Sequence, residues 1–150
     1  MAGIELKSAA FTDHAFIPDR FAKRGGNVSP PLTWAQVPDG SAELVLLCED
    51  PDAPAGTFLH WLVTGIAPHS RGVAEGETPE SGSARPNGFG ERGWGGPQPP
   101  PGDGPHRYFF HLYALAAPPE LPDDATPEDV HRATEQGTLA SGTLVGRYQR

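Results

Sequence analysis

Two short stretches of this 150-residue chain carry the side chains that could do chemistry. The first, DPDAP, places Asp50 and Asp52 on one proline-stiffened turn, and His60 follows ten residues after Asp50. The second places His106 and Tyr108 directly after a loop rich in glycine and proline. Small-molecule pockets combine apolar walls with a few convergent polar groups, and a stiff proline rim beside an imidazole and a phenol fits that description. We therefore expect the two stretches to meet at one pocket.

The same residues allow a second chemistry. Two carboxylates and two imidazoles can ligate a divalent cation, so a metal-dependent hydrolase that uses Asp50, Asp52, His60 and His106 is an alternative. The chain has no GxSxG or HExxH pattern, and its glycine segments form neither a P-loop nor a dinucleotide fingerprint. We therefore expect a non-enzymatic protein with no catalytic residue, metal or cofactor. An interaction module with an inert pocket stays open as a third hypothesis.

Three apolar runs of strand length must position these residues, at 44–48, 58–63 and 108–117. The first run predicts a strand over 43–49 that is buried on both faces and ends at the DPDAP turn. A second strand over 57–66 carries His60, and a period of two predicts that His60 shares a face with Phe58 and Leu62. The same alternation in the third strand predicts one face formed by His106, Tyr108, Phe110, Leu112 and Ala114.

The rest of the chain predicts a mainly β domain spanning 1–150 with one or two short helices. Residues 4–11 alternate as a first strand. Because Pro30 and Pro31 exclude a helix and a central strand, 27–34 form an edge or extended segment that brings Leu32 and Trp34 to the core. Thr126 is the predicted N-cap of a helix that runs to about Gln136, with proline and acidic residues in its first turn. A closing strand is expected over 139–148.

Composition excludes several classes of partner. A net charge of −8 repels phosphate backbones, and the 11 basic residues form no run, so nucleic acid is not an expected partner. No apolar segment reaches the eighteen or so residues that span a bilayer, and the first residues lack the features of a signal peptide. We expect a cytoplasmic protein without membrane insertion. The single cysteine, Cys48, lies in an apolar run and is expected in the core.

Several motifs resemble those of the phosphatidylethanolamine-binding protein family, most closely its short bacterial, Raf-kinase-inhibitor-like branch. They are DPDAP, the HW pair at 60–61, GPxPPxGxGxHRYxF at 96–110, NVSPPLTW at 27–34 and the closing GTLVGRY, and the resemblance covers residues 4–148. It implies two packed antiparallel sheets with few helices, and a cavity that accepts phosphate-like groups. The pocket residues that it implies are Asp50, Asp52, Ala53, Pro54, His60, Pro99, Pro100, His106 and Tyr108.

Such a pocket makes chemical sense for a small anion or a phosphoryl headgroup. A neighbouring carboxylate favours the imidazolium form of a histidine, and imidazolium and phenol groups donate hydrogen bonds to an anion. We expect Asp50 and Asp52 to orient these donors, and we expect anion affinity to rise from about pH 8 to about pH 6 as His60 and His106 become charged. Relatives of the family suggest a kinase or protease as protein partner. The oligomeric state is open, and a homodimer is compatible with the sequence.

Overall fold

Two antiparallel β-sheets make up the architecture of the chain in a computed structural model that describes residues 3–150. The smaller sheet has the order β1-β2-β5, with β1 at Glu5–Lys7, β2 at Leu32–Ala35 and β5 at Gly72–Val73. The larger sheet has the order β6-β4-β3-β7-β8, with β3 at Glu43–Asp50, β4 at Phe58–Ile66, β6 at Ser83–Ala84, β7 at His106–Leu115 and β8 at Thr138–Tyr148. The predicted fold class is confirmed.

The main core combines apolar side chains from both sheets. Leu32 and Trp34 of β2 belong to the same buried cluster as Leu46 of β3 and Phe110 of β7. A second cluster joins Val45, Leu47, Leu59, Leu62, Leu115, Ala125 and Val130. Alternate residues of β3 therefore enter different clusters, and the strand is buried on both faces as its continuous apolar run predicts.

Strand β7 lies between β3 and β8 and follows the predicted alternation. Tyr108, Phe110, Leu112 and Ala114 all belong to the main core, whereas Tyr113 and Leu115 belong with the second cluster. His106, the first residue of the strand, is buried as well. The strand thus carries its polar residues to the edge of the core, where a pocket can form.

Strand β4 departs from a period of two at His60. Cys48 of β3 pairs with Trp61, but the next residue, Glu49, pairs with Leu59, so His60 is the extra residue of a β-bulge. The bulge puts Trp61 in the main core, on the side of the sheet where His60 contacts Trp94. Leu62 turns to the second cluster instead. The prediction that His60 and Leu62 share a face is therefore wrong.

The helix α1, Pro127–Thr134, begins where its capping sequence predicts and ends two residues early. Thr126 Oγ1 accepts from the Asp129 amide at 3.2 Å, and Asp129 Oδ2 accepts from the Thr126 amide at 2.9 Å. This reciprocal capping box satisfies donors that a helix start leaves free. Val130 is fully buried and fixes the helix against the second cluster. A short 3₁₀ helix at Asp19–Phe21 is the other helical element of residues 3–150.

Two further expectations need correction. The first strand covers three residues instead of 4–11. The segment at 27–34 is not an edge strand, because β2 starts after the two prolines and pairs on both sides, with β1 and β5. Its Leu32 and Trp34 are nevertheless buried as predicted. Within residues 3–150, neither helical element has the length and apolar character needed to cross a membrane.

Candidate functional site

A pocket of about 160 Å³ opens where β3 ends and where β4 and β7 begin. Antiparallel pairing explains the convergence, since Asp50 pairs with Phe58 of β4 and Glu49 pairs with Phe109 of β7. Its lining is formed by Asp50, Ala53, Pro54, Phe58, His60, Phe89, Gln98, Pro99, Pro100, His106 and Tyr108. The structure thus brings together every residue predicted for the pocket except Asp52.

His106 is held between two carboxylates. Its Nδ1 lies 2.7 Å from Asp50 Oδ2, and its Nε2 lies 2.6 Å from Asp103 Oδ2. Burial by itself lowers the pKa of His106, but the hydrogen bonds to Asp103 and Asp50 outweigh it and raise the pKa above the ordinary value. The ring therefore favours the imidazolium form, with both nitrogens donating.

Asp50 has the orienting role expected of it. Its Oδ2 accepts a hydrogen bond from His106 Nδ1, and its Oδ1 accepts from the Asp52 amide, both at 2.7 Å. Burial raises the pKa of Asp50, and the hydrogen bond from His106 opposes that rise. With both oxygens engaged and a side chain only 4% exposed, Asp50 is a fixed part of the pocket wall.

Asp52 lies outside the pocket and binds Arg107. Its Oδ2 accepts from the Arg107 backbone amide and from Nε, both at 2.9 Å, while Oδ1 accepts from Nη2 at 2.8 Å. These hydrogen bonds lower the pKa of Asp52. The residue therefore ties the DPDAP turn to β7 and orients no histidine. The four residues of the alternative metal set do not share one pocket.

His60 is a neutral ring, contrary to the expectation that it becomes charged near neutral pH. Its Nδ1 donates to the Gly95 carbonyl at 2.6 Å, and the ring is packed by Phe58 and Tyr108 at centroid distances of 4.8 and 5.1 Å. Burial lowers its pKa to about 4, because the hydrogen-bond partner is a carbonyl instead of a compensating carboxylate. Only Nε2 is left for a ligand, and it is an acceptor.

The hydroxyl of Tyr108 is the unsatisfied polar group of the pocket. The residue is fully buried, and its oxygen has no hydrogen-bond partner among residues 3–150. Burial also raises the pKa of the phenol far above its ordinary value, so the group keeps its proton. Buried polar groups are nearly always paired, and an unpaired one in a pocket is therefore placed to donate to a ligand.

Four residues of the site were missed by the sequence analysis: Phe58, Phe89, Gln98 and Asp103. Phe58 could have been found, because it lies two residues from His60 on the same strand. Gln98 and Asp103 occupy variable positions within the GPxPPxGxGxHRYxF motif. Phe89 comes from an irregular loop and packs edge-on against Phe58 at 4.8 Å, a contact that no local pattern indicates.

No group of three or more histidine, cysteine, aspartate or glutamate side chains within residues 3–150 is arranged to hold a metal ion. The arrangement in this site that most resembles a set of metal ligands is the series Asp50–His106–Asp103. Its short contacts are hydrogen bonds between the imidazole and the two carboxylates. The polar side chains that line the pocket, those of Asp50, His60, Gln98, His106 and Tyr108, are hydrogen-bond donors and acceptors. Phenylalanine and proline side chains form the apolar part of the wall around them.

Comparisons with known proteins agree on one family. A family model described as phosphatidylethanolamine-binding protein (PEBP) matches residues 7–149. A UPF0098 protein of Methanothermobacter thermautotrophicus is 41% identical over 152 residues, which cover 98% of this chain and 99% of that protein. A Mycobacterium tuberculosis protein named as a candidate lipoprotein, LppC, is 44% identical over 146 residues, covering 97% of this chain and 72% of that protein. The crystal structure of Escherichia coli YbcL, titled a new member of the mammalian PEBP family, matches with a TM-score of 0.90 at 26% identity, covering 99% of each chain.

Proposed function

Because the chain belongs to the phosphatidylethanolamine-binding protein family, we propose that it is a non-enzymatic binding protein whose pocket takes a small anion, such as phosphate or a phosphoryl headgroup. Family membership supports a binding role, since proteins of this family are generally non-enzymatic binders. The observation that carries the anion proposal is the buried, unpaired hydroxyl of Tyr108, a residue that lines the pocket.

An anionic oxygen satisfies this hydroxyl better than a neutral group does. A buried donor left unpaired costs about 1 to 3 kcal/mol, which a ligand oxygen recovers on binding. His106 lines the same pocket as an imidazolium and is the one positively charged group among the described residues of its lining, while the chain, at a net charge of −8, supplies no attraction for an anion over long range. His60 contributes no charge, so the attraction depends on His106 alone.

The size of the pocket limits the size of the ligand that it can hold and the affinity with which it can bind it. A volume of about 160 Å³ accommodates one compact group, not a whole lipid. The best small ligands gain at most about 1.5 kcal/mol per non-hydrogen atom, before the cost of removing water from a charged group. We therefore expect dissociation constants on the order of 0.1 to 10 mM for a free anion such as sulfate or phosphate.

Calorimetric titration with sulfate tests the proposal on the Tyr108→Phe variant. We expect this variant to lose sulfate affinity by roughly tenfold or more, because it loses a donor hydrogen bond to a charged acceptor. Its free energy of unfolding in urea should stay the same or rise by about 1 kcal/mol, because the unpaired hydroxyl is gone. Tyr113→Phe is the matched control, since Tyr113 lies on β7 but outside the pocket lining.

Two outcomes would contradict the proposal. The first is equal sulfate affinity in the wild type and in Tyr108→Phe. The second is a loss of affinity that Tyr113→Phe shares, because the loss would then not come from the pocket. A variant that loses binding only because it unfolds is recognised by the urea measurement.

The remaining expectations stay predictions of the sequence. They are a kinase or protease as partner, a homodimer, and a cytoplasmic location. A relative named as a lipoprotein gives a reason to test the location, because lipoproteins are attached to membranes. Affinity capture with and without saturating sulfate tests the partner, and cell fractionation tests the location. Recovery of the chain in the membrane fraction would contradict a cytoplasmic protein.

A further inference from the structure

One nitrogen of His106 is occupied by a residue that the sequence analysis did not place in the site. Asp103 Oδ2 lies 2.6 Å from Nε2, and the Asp103 side chain is 43% exposed while that of His106 is only 4% exposed. The contact thus reaches from the surface down to a buried imidazolium. Asp50 already serves as the buried counter-ion at Nδ1, so a second carboxylate leaves the cluster of three groups with excess negative charge.

The backbone around Asp103 is free to release this carboxylate. Gly102 and Gly104 flank it in left-handed conformations, with φ of +80° and +82°. A Cβ atom at either glycine would meet nothing within 4 Å, so no side chain crowds this side of the turn. Two backbone hydrogen bonds of 3.2 Å hold the turn, from the Gly102 amide to the Arg150 carbonyl and from the Asp103 amide to the Pro100 carbonyl, and neither involves the Asp103 carboxylate. Asp50, in contrast, is buried and fixed through both oxygens. Of the two carboxylates, only Asp103 is in a position to leave.

We propose that Asp103 is an affinity-determining residue of the pocket: its carboxylate occupies the position on His106 Nε2 that an anionic ligand takes, and the ligand binds by displacing it. This inference rests on the proposed function, in which the pocket binds an anion through Tyr108 and His106. Displacement frees the Nε2–H donor and removes a negative charge from the ligand's surroundings at the same time.

In competition of this kind, the measured affinity equals the intrinsic affinity multiplied by the fraction of ligand-free molecules in which Asp103 has left His106. The Asp103 side chain is 43% exposed, so water can solvate its carboxylate once it leaves His106, and this fraction is not very small. The titration is made at about pH 5.5, below the ordinary histidine pKa, where Asp50 keeps His106 an imidazolium without Asp103. At this pH, Asp103→Asn should tighten sulfate binding by about three- to tenfold. If Asp103 only held His106 in place, the same substitution would weaken binding, so the sign of the change separates the two roles.

The experiment is calorimetric titration with sulfate at constant ionic strength on the wild type, Asp103→Asn and Asp39→Asn. Asp39 lies in the exposed turn between β2 and β3, and its substitution changes the net charge equally without touching the pocket. We expect higher sulfate affinity in Asp103→Asn than in the wild type, and unchanged sulfate affinity in Asp39→Asn. A crystal structure of the wild type with sulfate should show a sulfate oxygen at His106 Nε2 and the Asp103 carboxylate moved away.

Unchanged or weaker binding by Asp103→Asn, or an equal gain in Asp39→Asn, overturns the inference. So does a sulfate complex in which Asp103 still contacts His106. If the wild type binds sulfate and Tyr108→Phe does not, these results leave the proposed function intact. If neither the wild type nor Asp103→Asn binds sulfate, both the inference and the proposed function fail.

Discussion

His60 and His106 line one pocket, yet their surroundings favour opposite charge states. His106 meets two carboxylates, which raise its pKa. His60 meets a backbone carbonyl and aromatic rings, and burial lowers its pKa to about 4. The comparison shows that the hydrogen-bond partner of a buried imidazole decides which charge state the ring favours.

The two histidines therefore affect stability in different pH ranges. The His60 pKa is about 6.5 in the unfolded chain and about 4 in the native state, so the unfolded state binds the proton first as the pH falls. The native state should lose up to about 3 kcal/mol between these two values. His106, whose native pKa is raised, contributes stability that is fully present below about pH 6.5 and is lost as the pH rises through the raised value.

Urea unfolding of His60→Gln as a function of pH measures the first effect. We expect the free energy of unfolding of the variant to fall less steeply than that of the wild type from about pH 6.5 to about pH 4. His69→Gln is the control, because His69 is 75% exposed and pairs with Glu80 at the surface. Parallel curves for the wild type and His60→Gln over this range would refute the assignment of His60 as a buried neutral ring.

At the scale of the element, β7 joins the pocket to the core. The strand begins at His106 and Tyr108 in the pocket and continues through Phe110 and Leu112, which are fully buried. Phe110 stacks on Trp94 with an interplanar angle of 17° and a centroid distance of 5.9 Å, and it packs against Phe11 at the same distance. The apolar part of the strand thus holds its polar end in position.

Phe110→Ala tests whether the apolar part of β7 anchors the strand in the core. Truncation of a fully buried aromatic side chain costs about 3 to 5 kcal/mol, and we expect that loss in the free energy of unfolding. Phe16→Ala, at a phenylalanine that is 46% exposed, should cost less than about 1 kcal/mol. A loss below about 2 kcal/mol in Phe110→Ala would show that β7 is not anchored by its core face.

At the scale of the whole molecule, ligand binding and folding are linked. A ligand that binds only the native state raises the free energy of unfolding, and at about ten times its dissociation constant the gain is about 1.4 kcal/mol. For a domain of this size, such a gain raises the melting temperature by about 3 to 6 °C. The pocket is formed by residues from several parts of the chain, so unfolding destroys it completely.

Thermal melts with sulfate measure this linkage. Sulfate also stabilises proteins without binding a site, because it is excluded from their surface. The informative quantity is therefore the difference in melting shift between the wild type and Tyr108→Phe, which we expect to be about 2 to 4 °C at a sulfate concentration of about ten times the wild-type dissociation constant. Equal shifts in the two proteins would mean that sulfate acts through the solvent alone.

The sequence by itself determined much of the architecture and most of the pocket. Alternation along β7, the continuous apolar run of β3 and the capping residues of α1 each depend on near neighbours in the chain, and each predicted the observed element. The motif residues of the pocket, apart from Asp52, also line it in the structure. Local periodicity and turn chemistry are short-range properties, and a sequence displays them directly.

Only the tertiary structure decided what the pocket residues do. The bulge at His60 depends on the register between β3 and β4, and the pairing of Asp52 with Arg107 depends on where β7 begins. The low pKa of His60, the two counter-ions of His106 and the unpaired Tyr108 hydroxyl all follow from burial and from partners distant in the chain. Charge state and hydrogen bonding depend on the atoms within a few ångströms of a group, and for buried groups those atoms are supplied by folding.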